Sequence, residues 1–133
     1  MDKLRHTFNK NERLCSRSII QILVKSKNSV FSHPFLLAWV ETTLPEKVPA
    51  QVMISVSRKK FPKAHDRNYC KRVLREYYRH NKHLIYKTTE GTEKQLALFL
   101  TITTTQMPAF ETGKIAFDKL IKKLVNELEK HRI

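Results

Sequence analysis

Residues 67–85 are the part of the sequence that most restricts the fold, because they predict a helix with two chemically opposite faces. At 100° per residue, one arc of this helix is mainly apolar and the other carries six cations and one amide. The apolar arc holds Cys70, Val73, Leu74, Tyr77 and Leu84, with Asn81 among them. The opposite arc holds Arg67, Asn68, Lys71, Arg72, Arg75, Arg79 and Lys82. Such a helix packs its apolar arc on a sheet and presents its cations outward.

The charge of this segment has almost a single sign. Between residues 58 and 87 the chain has eleven lysines and arginines against Asp66 and Glu76, so 30 of its 133 residues carry +9 of the formal charge of +14. A solvated helix face normally mixes signs and gains pairs between residues four positions apart. Here Glu76 alone can offset the cations, through Arg72 or Arg79. The pattern favours a face built for a polyanion over an ordinary solvated face.

Length and composition predict one domain over residues 1–133 with a hydrophobic core. A sequence pI near 10.0 indicates nucleic acid or an anionic surface as the partner. A membrane is disfavoured, since no run of 18 apolar residues occurs. The polar N-terminus predicts no signal peptide and a cytoplasmic protein. Cys15 and Cys70 lack C-x-x-C spacing, so both are expected to be reduced thiols.

Hydrophobic periodicity predicts three helices and three strands in the order α-β-β-α-β-α. Asn9, with Glu12 as its reciprocal partner, is the predicted cap of a first helix that ends near Val24. A polar connection follows over residues 25–34. The predicted strands are 35–41, 51–57 and 96–103, and the last helix covers 110–130.

This order indicates an α+β fold, a small mixed sheet packed by helices, with one extra short strand as an open alternative. The basic helix, which is predicted to end near Lys87, connects the second and third strands. Those two strands are therefore expected to lie side by side in parallel.

The sequence gives little support for catalysis by the chain itself. Its twelve carboxylates form no pair that sequence alone would bring together. The two histidines at positions 80 and 83 have no Cys or carboxylate at metal-ligand spacing, so no dedicated protein metal site is predicted. Lys71 and Arg72 would lower the thiol pKa of Cys70, but Cys70 lies on the apolar arc, which favours core packing over a catalytic thiol. Phe35 and Trp39 fit a base-stacking surface or an ordinary sheet core equally well.

The sequence V-S-R-K-K at 56–60, followed by A-H-D-R-N-Y-C-K-R-V-L-R-E at 64–76, resembles the bacterial ribonuclease P protein subunit. That family has a strand ending in V-S-K-K, a short loop, and R-N-R-x-K-R-x-x-R-E on a helix. The lead-in at 8–14 and the strand at 35–37 also fit, and element order and length match nearly the whole chain. Arg58 replaces a lysine and keeps the charge. Tyr69 stands where the family has its second arginine, which removes a cation.

The resemblance implies a small protein cofactor of a ribonucleoprotein that removes 5′ leaders from precursor tRNA. Its partners would be the catalytic RNA of RNase P and the precursor tRNA, with no membrane, and the protein would be monomeric outside the ribonucleoprotein. The RNA would perform the hydrolysis with Mg²⁺, so the protein would supply no catalytic residue. The implied fold is ribosomal-protein-S5-domain-2-like with a left-handed βαβ crossover, which the general right-handed preference would not predict.

Two RNA sites follow from the resemblance. On the helix, the residues that would dock on the catalytic RNA are Arg67, Asn68, Lys71, Arg72 and Arg75. The charge pattern adds Arg58, Lys59, Lys60 and Arg79. A cleft between the first helix and the sheet would hold the single-stranded leader, and the residues expected near it are Phe8, Leu14, Phe35 and Leu37.

Two other classes of protein stay open at this point. One is a basic RNA-binding protein of ribosomal or assembly type, which would use the same helix without any processing reaction. The other is a self-sufficient nuclease, which the few carboxylates disfavour.

Overall fold

A computed structural model describes residues 10–130 of the chain. These residues form a four-stranded mixed sheet with helices on both faces. In chain order the elements are a 3-10 turn (Lys10–Glu12), α1 (Arg17–Lys25), β1 (Ser29–Ser32), β2 (Phe35–Thr42), β3 (Ala50–Ser55), α2 (Ala64–Thr88), β4 (Gln95–Ile102) and α3 (Phe110–Lys130). The strand order in the sheet is β1-β2-β4-β3. The predicted α+β class is confirmed, and β1 is the extra short strand.

The pairing of the strands places α2 between two parallel neighbours. β1 and β2 form an antiparallel hairpin, and β2 pairs antiparallel with β4. β3 pairs in parallel with β4, with Ala50 opposite Leu96. Because α2 connects these two strands, the predicted parallel unit around the basic helix is confirmed.

The larger core lies on the sheet face that α2 and α3 cover. Phe35 of β2 packs edge-on against Tyr77 and Phe117, with ring centroids 5.9 and 5.7 Å apart. α3 buries one stripe at helical spacing, as predicted: Phe117, Leu120, Ile121, Leu124 and Leu128. Gly113 lets α3 approach α2 closely, because a Cβ there would collide with the Tyr77 hydroxyl. This face supplies most of the buried apolar surface of the protein.

A smaller core lies on the opposite face of the sheet, under α1. Its buried members are Leu14, Ile19, Leu23, Leu44 and Ala97. Ser16 caps α1 by accepting a bond from the Ile19 amide at 3.5 Å, which satisfies one of the unpaired donors of the first turn. α1 has only nine residues, so it covers part of this face.

The start of the chain differs from its predicted helix. Glu12 lies in the 3-10 turn, and the chain then runs beside β3, where Arg13 pairs in parallel with Val52. The helix begins only after Ser16, and the predicted cap Asn9 lies outside the described residues. The prediction of a helix from Asn9 is therefore wrong between residues 13 and 16. The physical reason is that Glu12 bonds a lysine 70 residues away instead of closing a local cap.

Candidate nucleic-acid interface

The basic loop between β3 and α2 is fixed by two apolar anchors. Val56 and Phe61 are buried in the larger core, and the Phe61 amide donates to the Ser57 carbonyl oxygen at 2.9 Å. Between these anchors, Ser57, Arg58 and Lys59 are exposed. The loop therefore presents its cations from an ordered backbone.

Two of the predicted RNA-binding cations also hold this loop in place. Arg67 donates from its guanidinium to the carbonyl oxygens of Phe61 and Pro62, each at 2.9 Å. Lys60 donates from Nζ to the Thr103 carbonyl oxygen at 2.7 Å. Both side chains are half-buried, so part of their bonding capacity is committed within the protein.

The remaining groups form what we call the cationic face: Arg58, Lys59, Asn68, Lys71, Arg72 and Arg75. All are exposed except Lys71, which is half-buried. Within residues 10–130, none of its five cations lies in a salt bridge. Guanidinium groups can fork onto phosphate oxygens, and an amide can bond a base edge or a 2′-hydroxyl. The face therefore has the chemistry of a nucleic-acid backbone site.

A further cation reaches this face from the N-terminal segment. Burial, and after it the positive charge of Arg13, lower the pKa of Arg75. Arg13 itself is exposed. Sequence reasoning missed this residue because it lies far from α2 in the chain, and no local pattern signals the approach.

Charge is compensated at Arg79, further along α2. Its Nε donates to Glu76 Oε2 at 3.2 Å, and its Nη2 also bonds the other oxygen of that carboxylate. The hydrogen bond from Arg79 holds the pKa of Glu76 below its usual value. This is the Glu76–Arg79 pair that the spacing indicated. Arg79 thus offers less net charge to an anion than Arg72 or Arg75.

Lys82 is a correction to the predicted helix wheel, which placed it on the exposed basic arc. Its side chain is buried, with Nζ 2.9 and 2.6 Å from the two carboxylate oxygens of Glu12, and the Tyr86 hydroxyl also donates to Glu12. The N-terminal segment that carries Glu12 packs against α2 at Lys82 and excludes solvent from this side chain. On the apolar arc, Leu84 is half-exposed, and Ile85 is the residue fully buried in the core.

Cys70 belongs to the core, as its position on the apolar arc predicted. It is 1% exposed, and burial followed by the nearby Asp66 raises the pKa of its thiol. Cys15 is exposed, and both thiols are free. Within residues 10–130 there is no group of three or more His, Cys, Asp or Glu side chains that could hold a metal ion. In the same range, none of the helices has the length and apolarity to cross a bilayer.

The residues predicted near a cleft beside α1 do not lie together. Phe35 and Leu37 have no exposed surface and point into the larger core, on the opposite side of the sheet from α1. Their predicted position is therefore wrong. Leu14 is on the α1 side but buried in the smaller core, and Phe8 lies outside the described residues. Phe35 and Trp39 are both buried, so they belong to the sheet core and do not form a base-stacking surface.

A partly open apolar surface does exist beside α1, built from other residues. The half-buried side chains on this sheet face include Ala38, Val40, Met53 and Phe99. The strand alternation puts Leu36 on the same side. α1 adds Ile20, which is also half-buried against this cluster. β2 is apolar on both faces, so alternation alone could not tell which face would be covered.

The fold and the cationic face together define a class: a small α+β protein with one helix face suited to a nucleic-acid backbone. Comparison with known proteins gives the family. The Ribonuclease P family model matches residues 8–125, and the chain belongs to this family.

Several relatives are similar over much of their length. A Porphyromonas gingivalis Ribonuclease P protein component is 24% identical over 121 residues, covering 91% of this chain and 88% of the relative. One from Legionella pneumophila is 33% identical over 73 residues, covering 55% and 61%. The RNase P protein from Thermotoga maritima has this fold, with a TM-score of 0.64, 24% identity and coverage of 84% of this chain and 96% of that one. A Staphylococcus aureus RNase P protein mutant with defective mRNA degradation activity has a TM-score of 0.62, 20% identity and coverage of 86% and 89%.

Family membership establishes the biochemical role of the chain. It is a protein component of RNase P, a cofactor of the RNA-based enzyme in tRNA 5′ maturation, with RNase P RNA and a tRNA substrate as its partners. The reading as a ribosomal or assembly protein without a processing role is thereby set aside.

Proposed function

We propose that the cationic face docks this chain on the catalytic RNA of RNase P. The observation that carries the proposal is the single sign of that face, since no acid within residues 10–130 pairs with its five cations. Unpaired cations at this density repel one another, and a polyanion relieves that repulsion. Each phosphate they neutralise also releases condensed counterions, which makes the binding strongly dependent on salt.

The nine predicted RNA-binding residues contribute unequally in this proposal. Arg72 and Arg75 are exposed and contact phosphates directly. Arg67 and Lys60 act mainly by holding the basic loop in place. Arg67 bonds the backbone of that loop, and Lys60 bonds the backbone just after β4. Arg79 contributes least, because Glu76 neutralises it.

The apolar surface beside α1 is the proposed site of the 5′ leader. Unpaired bases can stack on aromatic rings and pack on aliphatic side chains, and such contacts tolerate any sequence. Phe99 is the aromatic residue among the half-buried side chains there, and Met53 is an adaptable neighbour. A single-stranded leader fits this surface better than a duplex, whose bases are stacked on one another.

The chemistry itself belongs to the RNA in this proposal. Together with Mg²⁺, the RNA would supply the hydrolysis, and the protein raises the affinity for precursor tRNA. The protein alone does not cleave, is monomeric outside the ribonucleoprotein, and works in the cytoplasm.

Reconstitution tests the proposal. The purified chain is combined with a bacterial RNase P RNA, and leader removal from precursor tRNA is followed at low Mg²⁺ concentration. We expect the protein to stimulate cleavage over RNA alone, and Arg72→Ala to require more protein for half-maximal stimulation. The matched control is Lys119→Ala, which removes one exposed cation from α3.

Two results would contradict the proposal. Stimulation that is equal for Arg72→Ala and the wild-type chain at every protein concentration would remove the cationic face from the docking site. Cleavage by the protein in the absence of RNA would show that the protein, and not the RNA, carries out the hydrolysis.

A further inference from the structure

A pocket of about 560 Å³ opens between the N-terminal segment and the loop that joins β2 to β3. This volume lies within the range of roughly 300–1,000 Å³ that is typical of small-ligand sites. The N-terminal segment contributes Lys10, Arg13 and Ser16 to the lining, and the other side contributes Glu46 of the loop and Gln51 of β3. The pocket is therefore large enough for a ligand and is lined mainly by polar side chains.

Hydrogen bonds fix both walls of this pocket. Gln51 Nε2 donates to the Asn11 carbonyl oxygen at 2.8 Å, which ties the N-terminal segment to β3. On the loop side, Gln95 of β4 donates from its Nε2 to the carbonyl oxygens of Glu46 and Val48, at 2.8 and 2.6 Å. The walls are thus in place before a ligand arrives, so binding requires little ordering of the chain.

One buried acceptor in the pocket wall has no donor. Gln51 is 3% exposed, and within residues 10–130 its Oε1 accepts no hydrogen bond. The Asn11 carbonyl can only accept, so it holds the Nε2 of this amide and leaves the Oε1 for another partner. Leaving a buried polar atom unpaired is unfavourable, and a ligand that donates a hydrogen bond removes this cost. Gln51 therefore has the position of a residue that selects a ligand carrying a donor.

Charge distinguishes the two sides of the pocket. Lys10 and Arg13 bring cations from the N-terminal segment, and α1 begins directly after Ser16. The first turn of a helix leaves backbone amides without a partner inside the helix, which favours a phosphate. Glu46 and the oxygen of Gln51 are acceptors, and they would repel a bare anion. A nucleotide fits both sides, because it can place its phosphate near the cations and a donor near the acceptors.

The pocket continues the apolar surface beside α1. Gln51 and Met53 are two positions apart on β3, so their side chains lie on the same face, roughly 6.6 Å apart along the strand. Met53 is in turn the register partner of Phe99 on β4. A single strand that packs on Met53 and Phe99 can therefore extend into the pocket at Gln51.

We propose that this pocket binds one nucleotide of the single-stranded leader, and that Gln51 selects it by accepting a hydrogen bond. Lys10 and the start of α1 hold the phosphate of this nucleotide. The donor is a ribose 2′-hydroxyl or an exocyclic amino group of the base, which both present the same chemistry to the Gln51 oxygen. The inference rests on the proposed leader site beside α1, and it names the chemistry that this site recognises at its β3 side.

Leaders that lack single donors test the role of Gln51. The holoenzyme is bound at equilibrium to precursor tRNAs whose leader is unmodified, 2′-deoxy throughout, or without the exocyclic amino group of one base at a time. We expect one of these removals to weaken binding by the wild-type chain about 3- to 10-fold, the effect of one lost hydrogen bond. Gln51→Met keeps the length of the side chain but has no amide oxygen, so it should bind that modified leader and the unmodified leader equally.

This comparison separates recognition from stability. Loss of the bond to Asn11 can loosen the N-terminal segment, but it would lower the affinity of Gln51→Met for every leader alike. An effect of the 2′-deoxy leader that disappears in Gln51→Met identifies the ribose as the donor, and an effect of one base that disappears identifies that base. A wild-type chain that binds all the leaders equally overturns the proposal. A removal that weakens binding by the same factor in both proteins also overturns it.

Lys10→Ala tests the phosphate side of the pocket and leaves Gln51 in place. It should weaken binding of precursor tRNA but not of leaderless tRNA, and the log–log salt slope for precursor tRNA should shrink by about 0.7. Lys47→Ala is the matched control, because Lys47 is an exposed cation next to Glu46 that does not line the pocket. Equal affinities and slopes for the two variants would overturn the phosphate contact.

Cys15 gives a direct measure of occupancy, because it is exposed and lines the pocket, whereas Cys70 is 1% exposed. In the holoenzyme, precursor tRNA should slow the reaction of Cys15 with a thiol reagent more than leaderless tRNA does. Equal reaction rates with the two tRNAs would overturn the pocket as a leader contact. Failure of the leader site itself is seen separately, as an unchanged preference of Leu36→Ala for precursor tRNA over leaderless tRNA.

Discussion

The two faces of the sheet are both apolar, yet the fold treats them differently. Leu37 and Leu36 are neighbours on β2, and the first has no exposed surface under α2 and α3, while the second is only half-buried on the α1 side. The long helices α2 and α3 cover one face, and the nine-residue α1 covers part of the other. The hydrophobicity of a strand residue therefore does not determine whether it is buried in the core or left partly open to solvent. Its burial depends on whether a helix covers that face of the sheet.

The N-terminal segment joins these two regions along the edge of the sheet. Glu12 turns to the α2 side and bonds Lys82, whereas Leu14 enters the smaller core under α1. Between them, Arg13 runs beside β3. A contact on one face therefore fixes the position of side chains on the other.

The largest effect is expected from breaking that connection at Lys82. Lys82→Met leaves the carboxylate of Glu12 buried without its cation, which should lower the free energy of unfolding by about 3–5 kcal/mol. Denaturant unfolding measures this loss. Adding Glu12→Gln should recover part of it, because a neutral amide needs no counter-ion and can still accept from Tyr86. A single variant as stable as the wild-type chain would show that the N-terminal segment is not anchored by this ion pair.

Leu37 and Leu36 give the sharpest test of the two faces. Leu37→Ala should lower the free energy of unfolding by about 2–5 kcal/mol, because it leaves a cavity in the larger core. Leu36→Ala removes the same atoms from a partly open surface, so its loss should be about 1 kcal/mol or less. Unfolding experiments on both variants compare them directly.

The same pair separates folding from leader binding. Leu36→Ala should reduce the preference of the holoenzyme for precursor tRNA over leaderless tRNA, and folded Leu37→Ala should keep that preference. The opposite result, with Leu37→Ala alone losing discrimination, would place the leader away from the α1 face.

A smaller effect is expected at alkaline pH from Tyr77, in the larger core. Burial, with Tyr69 and Glu111 nearby, raises its pKa from 10.0 to about 12. Between these values the unfolded chain loses the proton while the folded chain keeps it, so this group makes the protein less stable as pH rises through the window. Tyr77→Phe should cost about 1 kcal/mol at neutral pH, where it loses the bond to Phe110.

The stability difference between Tyr77→Phe and the wild-type chain should then shrink as pH rises above about 10. Unfolding curves of both proteins at several alkaline pH values measure it. A difference that stays constant would mean that Tyr77 titrates alike in the folded and unfolded chains.

Local sequence signals were sufficient for the elements whose partners are near in the chain. The periodicity of α3 predicted its range of 110–130. The amphipathic pattern of α2 predicted the burial of Cys70, Val73, Leu74 and Tyr77, but it placed Lys82 and Leu84 on the wrong arcs. Tyr69 was visible in the sequence as a departure from the family motif. These features depend on the period of a helix and on charge, which are local properties.

Contacts over long sequence distances were not accessible in the same way. The pattern of Asn9 and Glu12 predicted a helix cap, but Lys82 binds Glu12 from 70 positions away. The resemblance placed Phe35 and Leu37 near the leader. Because β2 is apolar on both sides, the strand pattern could not correct this, and only helix packing decides which side is closed. The influence of Arg13 on Arg75 of the cationic face was missed for the same reason, since 62 positions separate the two residues.

The salt dependence of RNA binding tests the central claim most directly, with two variants of equal charge. One replaces Lys71, Arg72 and Arg75 by alanine, and the other replaces Lys119, Lys122 and Lys130 on α3. Both lose three positive charges. If the cationic face docks on RNase P RNA, the first variant should bind more weakly and its log–log salt slope should shrink by roughly 2–3, while the second keeps the wild-type slope. Equal slopes for the two variants would contradict the account, because binding would then depend on total charge and not on this face.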